Sequence, residues 1–244
     1  MNYTSNELYH LVGRTHPLDH EHNYGILLKI IDDYCITHPP HNPRLIEHRI
    51  TLNLDKDIFS GELVSPTMTC FCDIPFESLS IHIRKYGSFG IAFPRDFLIS
   101  NGARPVNYVP MQPSDWRGTC GTAYGAGLLN DWEQVWRGSQ EYLIKPLGHG
   151  TRMRNLGKMP ESSEEASVAL DEIVTQHLAF TKPFDSELSM DDPNNYYMER
   201  EWRKIANLPF TLSDIAMVLV HETFHDRILL DRPLFAEKIR AAPV

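Results

Sequence analysis

Proline and glycine cut this chain into short pieces, and that punctuation limits what it can fold into. Met68 to Ile74 reads as a buried strand stopped by Pro75, after which Phe76, Leu79, Ile83 and Tyr86 recur at helical spacing up to Gly87. Phe89 to Phe93 predicts another strand, Pro94 to Asn101 a short helix before Gly102, and Pro105 to Val109 a further strand. Upstream, Asn6 to Arg14 predicts a strand ending at Gly13 with Leu8, His10 and Val12 on one face. Ile26, Leu27, Ile30, Ile31 and Tyr34 mark one face of a helix over Tyr24 to Tyr34, and the proline-rich stretch Thr37 to Arg44 is a loop. Strands alternating with such short helices indicate an α+β fold: a mixed, mainly antiparallel sheet with short flanking helices.

The second half is organised differently. Residues 111–195 carry a glycine-rich stretch (Gly118 to Gly127), a helical stretch (Asn130 to Leu143) and a polar break at Pro160-Glu-Ser-Ser-Glu-Glu, so they read as a loop and helix insertion within one domain spanning 1–244. The glycines match neither a phosphate loop nor a dinucleotide fingerprint. Ile215 to Val220 predicts a strand, followed by an amphipathic segment from Glu222 to Ile239.

The Ile215 to Val220 run is the longest apolar one and is far too short to span a bilayer; no secretory leader is visible at the N-terminus, so a cytoplasmic protein is expected. Cys35, Cys70, Cys72 and Cys120 are too few and too uneven for a disulfide framework, and Cys70 and Cys72 share one strand face without a second pair to complete a zinc site. With 32 carboxylates against 23 Lys and Arg, a net charge of −9 argues against sequence-independent nucleic-acid binding by the surface at large. A local groove built from Lys145, Arg152, Arg154 and Lys158 stays open, beside the reading of a solvated loop.

Tyr196-Tyr197-Met198-Glu199-Arg200-Glu201-Trp202-Arg203 is the most chemically charged stretch. As an extended segment it would place Tyr197, Glu199 and Glu201 on one face and Arg200 and Trp202 on the other. Two neighbouring carboxylates push one pKa up, which suits acid/base work or stabilisation of a developing cation. A solvated edge strand with paired charges is the competing reading.

His221-Glu222-Thr223-Phe224-His225 satisfies H-E-x-x-H, the helical zinc-hydrolase pattern, but Asp226 and Arg227 follow directly and only Glu237 is at hand as a late third ligand. Zinc is therefore not expected, and no metal site is assigned. His10 is either a hydrogen-bonded core histidine or a ligand, and Tyr86 either core or pocket wall. His82 is expected to be exposed, and Asp73 to cap the helix beginning near Phe76.

Three blocks occur in order: Met68-Thr-Cys-Phe-Cys-Asp-Ile-Pro75; His82-x-x-x-Tyr86-Gly-Ser-Phe-Gly-Ile-Ala-Phe93 with Pro105-Val-Asn-Tyr108; and Tyr197-x-Glu199-Arg-Glu201-Trp-Arg203. Together they resemble the AbiGi-type family of abortive phage-infection proteins, over roughly residues 5–110 and 190–235. The resemblance implies anti-phage defence, with the chain as the antitoxin of a two-gene system whose partner is encoded by a neighbouring gene.

A weaker resemblance, which concerns the fold and implies an ADP-ribosyltransferase-like one, is to ADP-ribosyltransferases, including DNA-modifying toxins: an early strand with His10, the Tyr86-Gly block and a late Glu-x-Glu. It implies an NAD site in which His10 or Arg14 holds the dinucleotide, Tyr86 stacks on it, and Glu199 or Glu201 serves catalysis, with His10 orienting, on a nucleic acid, nucleotide or protein substrate. His10 is followed by Leu-Val-Gly rather than a Thr or Gly-Thr, and a Ser-Thr-Ser block is not evident. The functional expectations are thus an NAD-using defence enzyme, a non-catalytic antitoxin, and, third, a zinc hydrolase.

Overall fold

The computed structural model describes residues 5–44, 50–52, 55, 64–111, 177–189, 192 and 195–243. The glycine-rich stretch, the helix expected over Asn130 to Leu143, Cys120 and the basic residues Lys145, Arg152, Arg154 and Lys158 lie outside them. In chain order the elements are β1 (Glu7–Leu11), α1 (His20–Asp33), β2 (Cys35–Ile36), β3 (Ile50–Leu52), β4 (Val64–Pro66), β5 (Met68–Cys72), α2 (Ser80–Tyr86), β6 (Gly90–Pro94) and α3 (Arg95–Ser100). Then follow β7 (Arg104–Pro105), β8 (Asn107–Met111), β9 (Thr181–Asp185), β10 (Glu201–Ile205), β11 (Leu208–Pro209), β12 (Met217–Val220), α4 (His225–Asp231) and β13 (Ile239–Ala241).

Two compact units result. One comprises residues 1–49, 67–106 and 190–244, the other 50–66 and 107–189. The first holds a seven-stranded sheet in the order β13-β12-β6-β1-β5-β10-β7, with β2 and β11 as a separate pair. Its neighbours run antiparallel except β12 and β13, which are parallel. This is the α+β class with a mixed, mainly antiparallel sheet that the pattern predicts. In the second unit β3 pairs with β4 antiparallel and β8 with β9 parallel.

The sheet of the first unit is covered on both faces because its strands are apolar on both. On one face Leu8, Phe71, Ile91 and Phe93 pack with Tyr24, Leu27, Ile30 and Ile31 of α1. On the other, Tyr9, Cys72, Ala92 and Leu219 form a smaller cluster with Ile74 and Leu79, against which Phe76 and Ile83 pack.

Helix α1 starts four residues before the expected Tyr24, because Asp19 caps it and accepts from the His22 N–H; Tyr34, left-handed at φ 47°, ends it. The segment expected as one helix from Phe76 splits into a 3-10 turn (Phe76–Ser78) and α2, closed by Gly87 at φ 84°. The strand expected over Pro105 to Val109 divides at buried Val106, whose N–H bonds Glu201 O, into β7 and β8 of different sheets. Among the described residues, no helix is long and apolar enough to cross a membrane.

Candidate functional site

The stretch around Glu199 is not the continuous strand that its charge alternation predicts. Tyr196–Glu199 is a 3-10 turn, capped by the Asn195 side chain on the Tyr197 N–H, and Arg200 reverses the chain at φ 43° before β10 begins at Glu201. A short side-chain acceptor before the turn competes successfully with strand pairing. Glu199 and Glu201 therefore do not alternate along one strand face, and they reach their surroundings from different elements.

Glu199 is buried and held from α2: Lys85 Nζ donates to its Oε1 at 2.8 Å, and the Tyr86 hydroxyl donates to the same oxygen. The Lys85 ammonium also lies 4.5 Å from the Tyr196 ring centre. Glu201 is equally buried and bound in a fork by Arg203, with Nε at 2.8 Å and a terminal nitrogen at 3.2 Å. Burial, then the Glu199 charge and its hydrogen bond, push the Tyr86 hydroxyl far above its ordinary pKa; Glu201 adds to this and Arg14 opposes it.

Backbone contact brings Arg14 here. Gly13 N donates to Tyr86 O at 2.7 Å, and a Cβ at Gly13 would sit 2.6 Å from that carbonyl, so only glycine lets the end of β1 approach α2 this closely. Cys72 belongs to the same neighbourhood: burial and then the Glu199 charge push its thiol up to about 12.

His10 does not join this group. Tyr9 and Glu201 are each paired in register with Cys72, so these three side chains share one face of the sheet and His10, next to Tyr9, points to the other. Its Nδ1 donates to Cys70 O at 2.8 Å, its ring lies 5.8 Å from that of Phe71, and burial lowers its pKa. Of the residues expected to hold NAD, Tyr86 and Glu199 are in direct contact, Arg14 follows the Gly13–Tyr86 backbone contact, Glu201 shares the sheet face of Cys72, and His10 lies on the opposite face.

Two further expectations need correction. His82 is buried, only 6% exposed, because it faces inward from α2; neither ring nitrogen meets a hydrogen-bonding partner among the described residues, and burial lowers its pKa. Asp73 is no helix cap. It binds Arg95 at 2.9 Å, Arg200 at 3.4 Å and the Ser5 N–H at 3.1 Å, which ties Ser5 to α3 and to the bend before β10.

The H-E-x-x-H residues do not lie on one helix. His221 caps a 3-10 turn (Glu222–Phe224) and its Nδ1 is 2.8 Å from the Thr223 hydroxyl, whereas His225 opens α4 beside Asp226. No group of three His, Cys, Asp or Glu among the described residues could hold a metal ion.

Sequence reasoning missed Lys85 and the pairing of Asp73 with its two arginines. Lys85 adjoins Tyr86, but no local pattern announces a partner 114 residues away. Chemically, the cluster is a set of buried carboxylates neutralised by the chain's own donors, with Arg14 and Tyr86 at its border.

The family described as "Putative abortive phage resistance protein AbiGi, antitoxin" matches residues 43–231. The match includes the middle segment, which the motif reading left out, and begins after His10 and Arg14. A curated protein of Lactococcus lactis subsp. cremoris, "Abortive phage resistance protein AbiGi", is 27% identical over 167 residues, covering 59% of this chain and 55% of its own length. The chain thus spans about half the length of that relative. No solved structure matches. With the family match running through well over half of its residues, the chain belongs to the AbiGi family of abortive phage resistance proteins.

Proposed function

We propose that this protein is the antitoxin of an abortive-infection pair, acting in anti-phage defence by binding its toxin and not by turnover. The observation that supports it is the engagement of both site carboxylates by internal donors, Lys85 and Tyr86 on Glu199 and Arg203 on Glu201, with both carboxylates buried. Such satisfied pairs hold a surface in one shape. The family description, which names an antitoxin, points the same way. Co-expression with the neighbouring-gene protein tests the reading: growth should be restored and the two chains should co-elute, and Glu199→Gln with Glu201→Gln should retain both. Absence of a complex at low salt would refute it.

A second reading is favoured by one observation, the Tyr86 hydroxyl bonded to the buried Glu199 carboxylate next to the Gly13–Tyr86 backbone contact, one residue from Arg14. In it the protein is an NAD-consuming, ADP-ribosyltransferase-like enzyme acting on nucleic acid, nucleotide or protein. Arg14 and Tyr86 would hold the dinucleotide, and the carboxylates would supply the negative charge that the departure of a good leaving group requires. His10 would then maintain the sheet. Nicotinamide release from NAD, lost in the double Gln variant, is its test; no release with or without phage-infected extract removes it.

A further inference from the structure

The loop that follows β2 links three side chains in series. Asp33, the last residue of α1, places Oδ2 2.8 Å from His41 Nε2, and His41 Nδ1 lies 3.1 Å from the Thr37 hydroxyl oxygen. A neutral imidazole has one ring proton to place. The ionised Asp33 carboxylate can only accept, so that proton sits on Nε2 and Nδ1 is left to accept from the Thr37 O–H. The Asn42 N–H donates to the same hydroxyl oxygen at 3.2 Å, which engages one lone pair and leaves the other open. Bonds from distant segments hold the loop: His38 Nδ1 donates to Met68 O at 3.2 Å, and Asn207 Nδ2 donates to Asn42 O at 3.1 Å.

We propose that Asp33, His41 and Thr37 form a nucleophilic triad, with Thr37 as the attacking hydroxyl, that hydrolyses esters of short acyl groups. A nucleophile, a base within hydrogen-bond reach of it and a third group that orients the base define such a site, whatever their order in the sequence. Thr37 Oγ1 bonds to the acyl carbonyl carbon while its proton passes to His41 Nδ1. The tetrahedral adduct then expels the alcohol, which leaves with that proton. Water attacks the acyl-threonine in turn, giving one proton to Nδ1; the carboxylic acid departs as the proton returns to Thr37 Oγ1. Asp33 is the positioning residue, holding the ring and its tautomer throughout. Burial limits the acyl group: Thr37 is 7% exposed, so a short chain is admitted where a long one is not. The triad is separate from the antitoxin reading, since none of the hydrogen bonds of these three side chains reaches Glu199 or Glu201.

The full chain is mixed with p-nitrophenyl acetate, nitrophenolate release is followed, and acid-quenched samples are mapped by peptide mass spectrometry. The expected result is an acetyl group on Thr37 and a rate that falls about 100-fold or more in Thr37→Val and His41→Gln. Thr37→Ser should match or exceed wild type, because the hydroxyl stays and the methyl group beside it is removed. Asp33→Asn, at a side chain 44% exposed, should lower the rate and alter its pH profile, since an amide can donate to Nε2 and move the ring proton to Nδ1. Circular dichroism verifies that each variant is folded, and the wild-type adduct reads the nucleophile without any variant. Absence of acetyl from Thr37 in wild type overturns the proposal, as does undiminished release by Thr37→Val, which would assign the reaction to another nucleophile. An unchanged rate and pH profile in Asp33→Asn would likewise overturn the triad.

Discussion

Lys85 Nζ lies 2.8 Å from Glu199 Oε1, joining α2 to the turn before β10 across a site where the lysine side chain is 28% and the glutamate 9% exposed. Removing one partner strands a buried charge. Lys85→Met should therefore destabilise the protein by about 2 kcal/mol, below the cost for a fully buried pair because Lys85 keeps some solvent. Adding Glu199→Gln to that variant should recover part of the loss, since no ionised carboxylate is then left unpaired. Urea denaturation of the two single variants and the double variant checks this.

Stability should fall as the solution is acidified below neutrality. His10, His20 and His82 are each held below the ordinary value of 6.5, first by burial; for His20 the His221 ring at 4.1 Å adds to the effect, and for His82 Lys85 does. A group with a lowered folded pKa takes up its proton first in the unfolded chain. Its contribution is present above 6.5 and lost as pH drops from there towards the folded value. Denaturation midpoints should decline from about pH 8 to about pH 5, the range over which histidine titrates, and His82→Leu should flatten the slope.

Gly13→Ala should be destabilising by about 1–3 kcal/mol, because its methyl group meets backbone that cannot yield cheaply. The obstacle is the Tyr86 carbonyl, 2.6 Å from the added carbon. A thermal melt reads the loss. The same change at Gly25, whose Cβ would meet nothing within 4 Å, should leave stability unchanged or raised.

Cys72 should resist alkylation in the native protein. Its thiol is buried and pushed up to about 12, so little thiolate forms near neutral pH, and Cys35 is shifted in the same direction by burial. Iodoacetamide labelling followed by mass spectrometry should leave Cys72 unmodified until denaturant is added. Rapid native labelling at Cys72 would contradict the packing described for the Tyr9 face.

Fold class was legible in the chain itself because proline, glycine and hydrophobic period act locally. Pro75, Gly87 and Gly102 stop segments wherever the rest of the molecule lies, and Leu8 and Val12 flank His10 on the face that packs against the core. The motif order around Tyr86 and Glu199 likewise identified the family without any geometry. The bend at Arg200 was less legible, since alternating charges favour a strand on paper while the Asn195 cap starts a turn instead.

The site was decided by pairings that local pattern does not encode. Register with Cys72 puts Tyr9 and Glu201 on one sheet face and His10 on the other, and a one-residue slip would have reversed the outcome. Lys85 meets Glu199, and Arg95 and Arg200 meet Asp73, only because the sheet brings distant segments together. Sequence determines which charges are available and on which element each is carried; tertiary structure decides which of them neutralise one another, since the strength of that interaction depends on distance and burial.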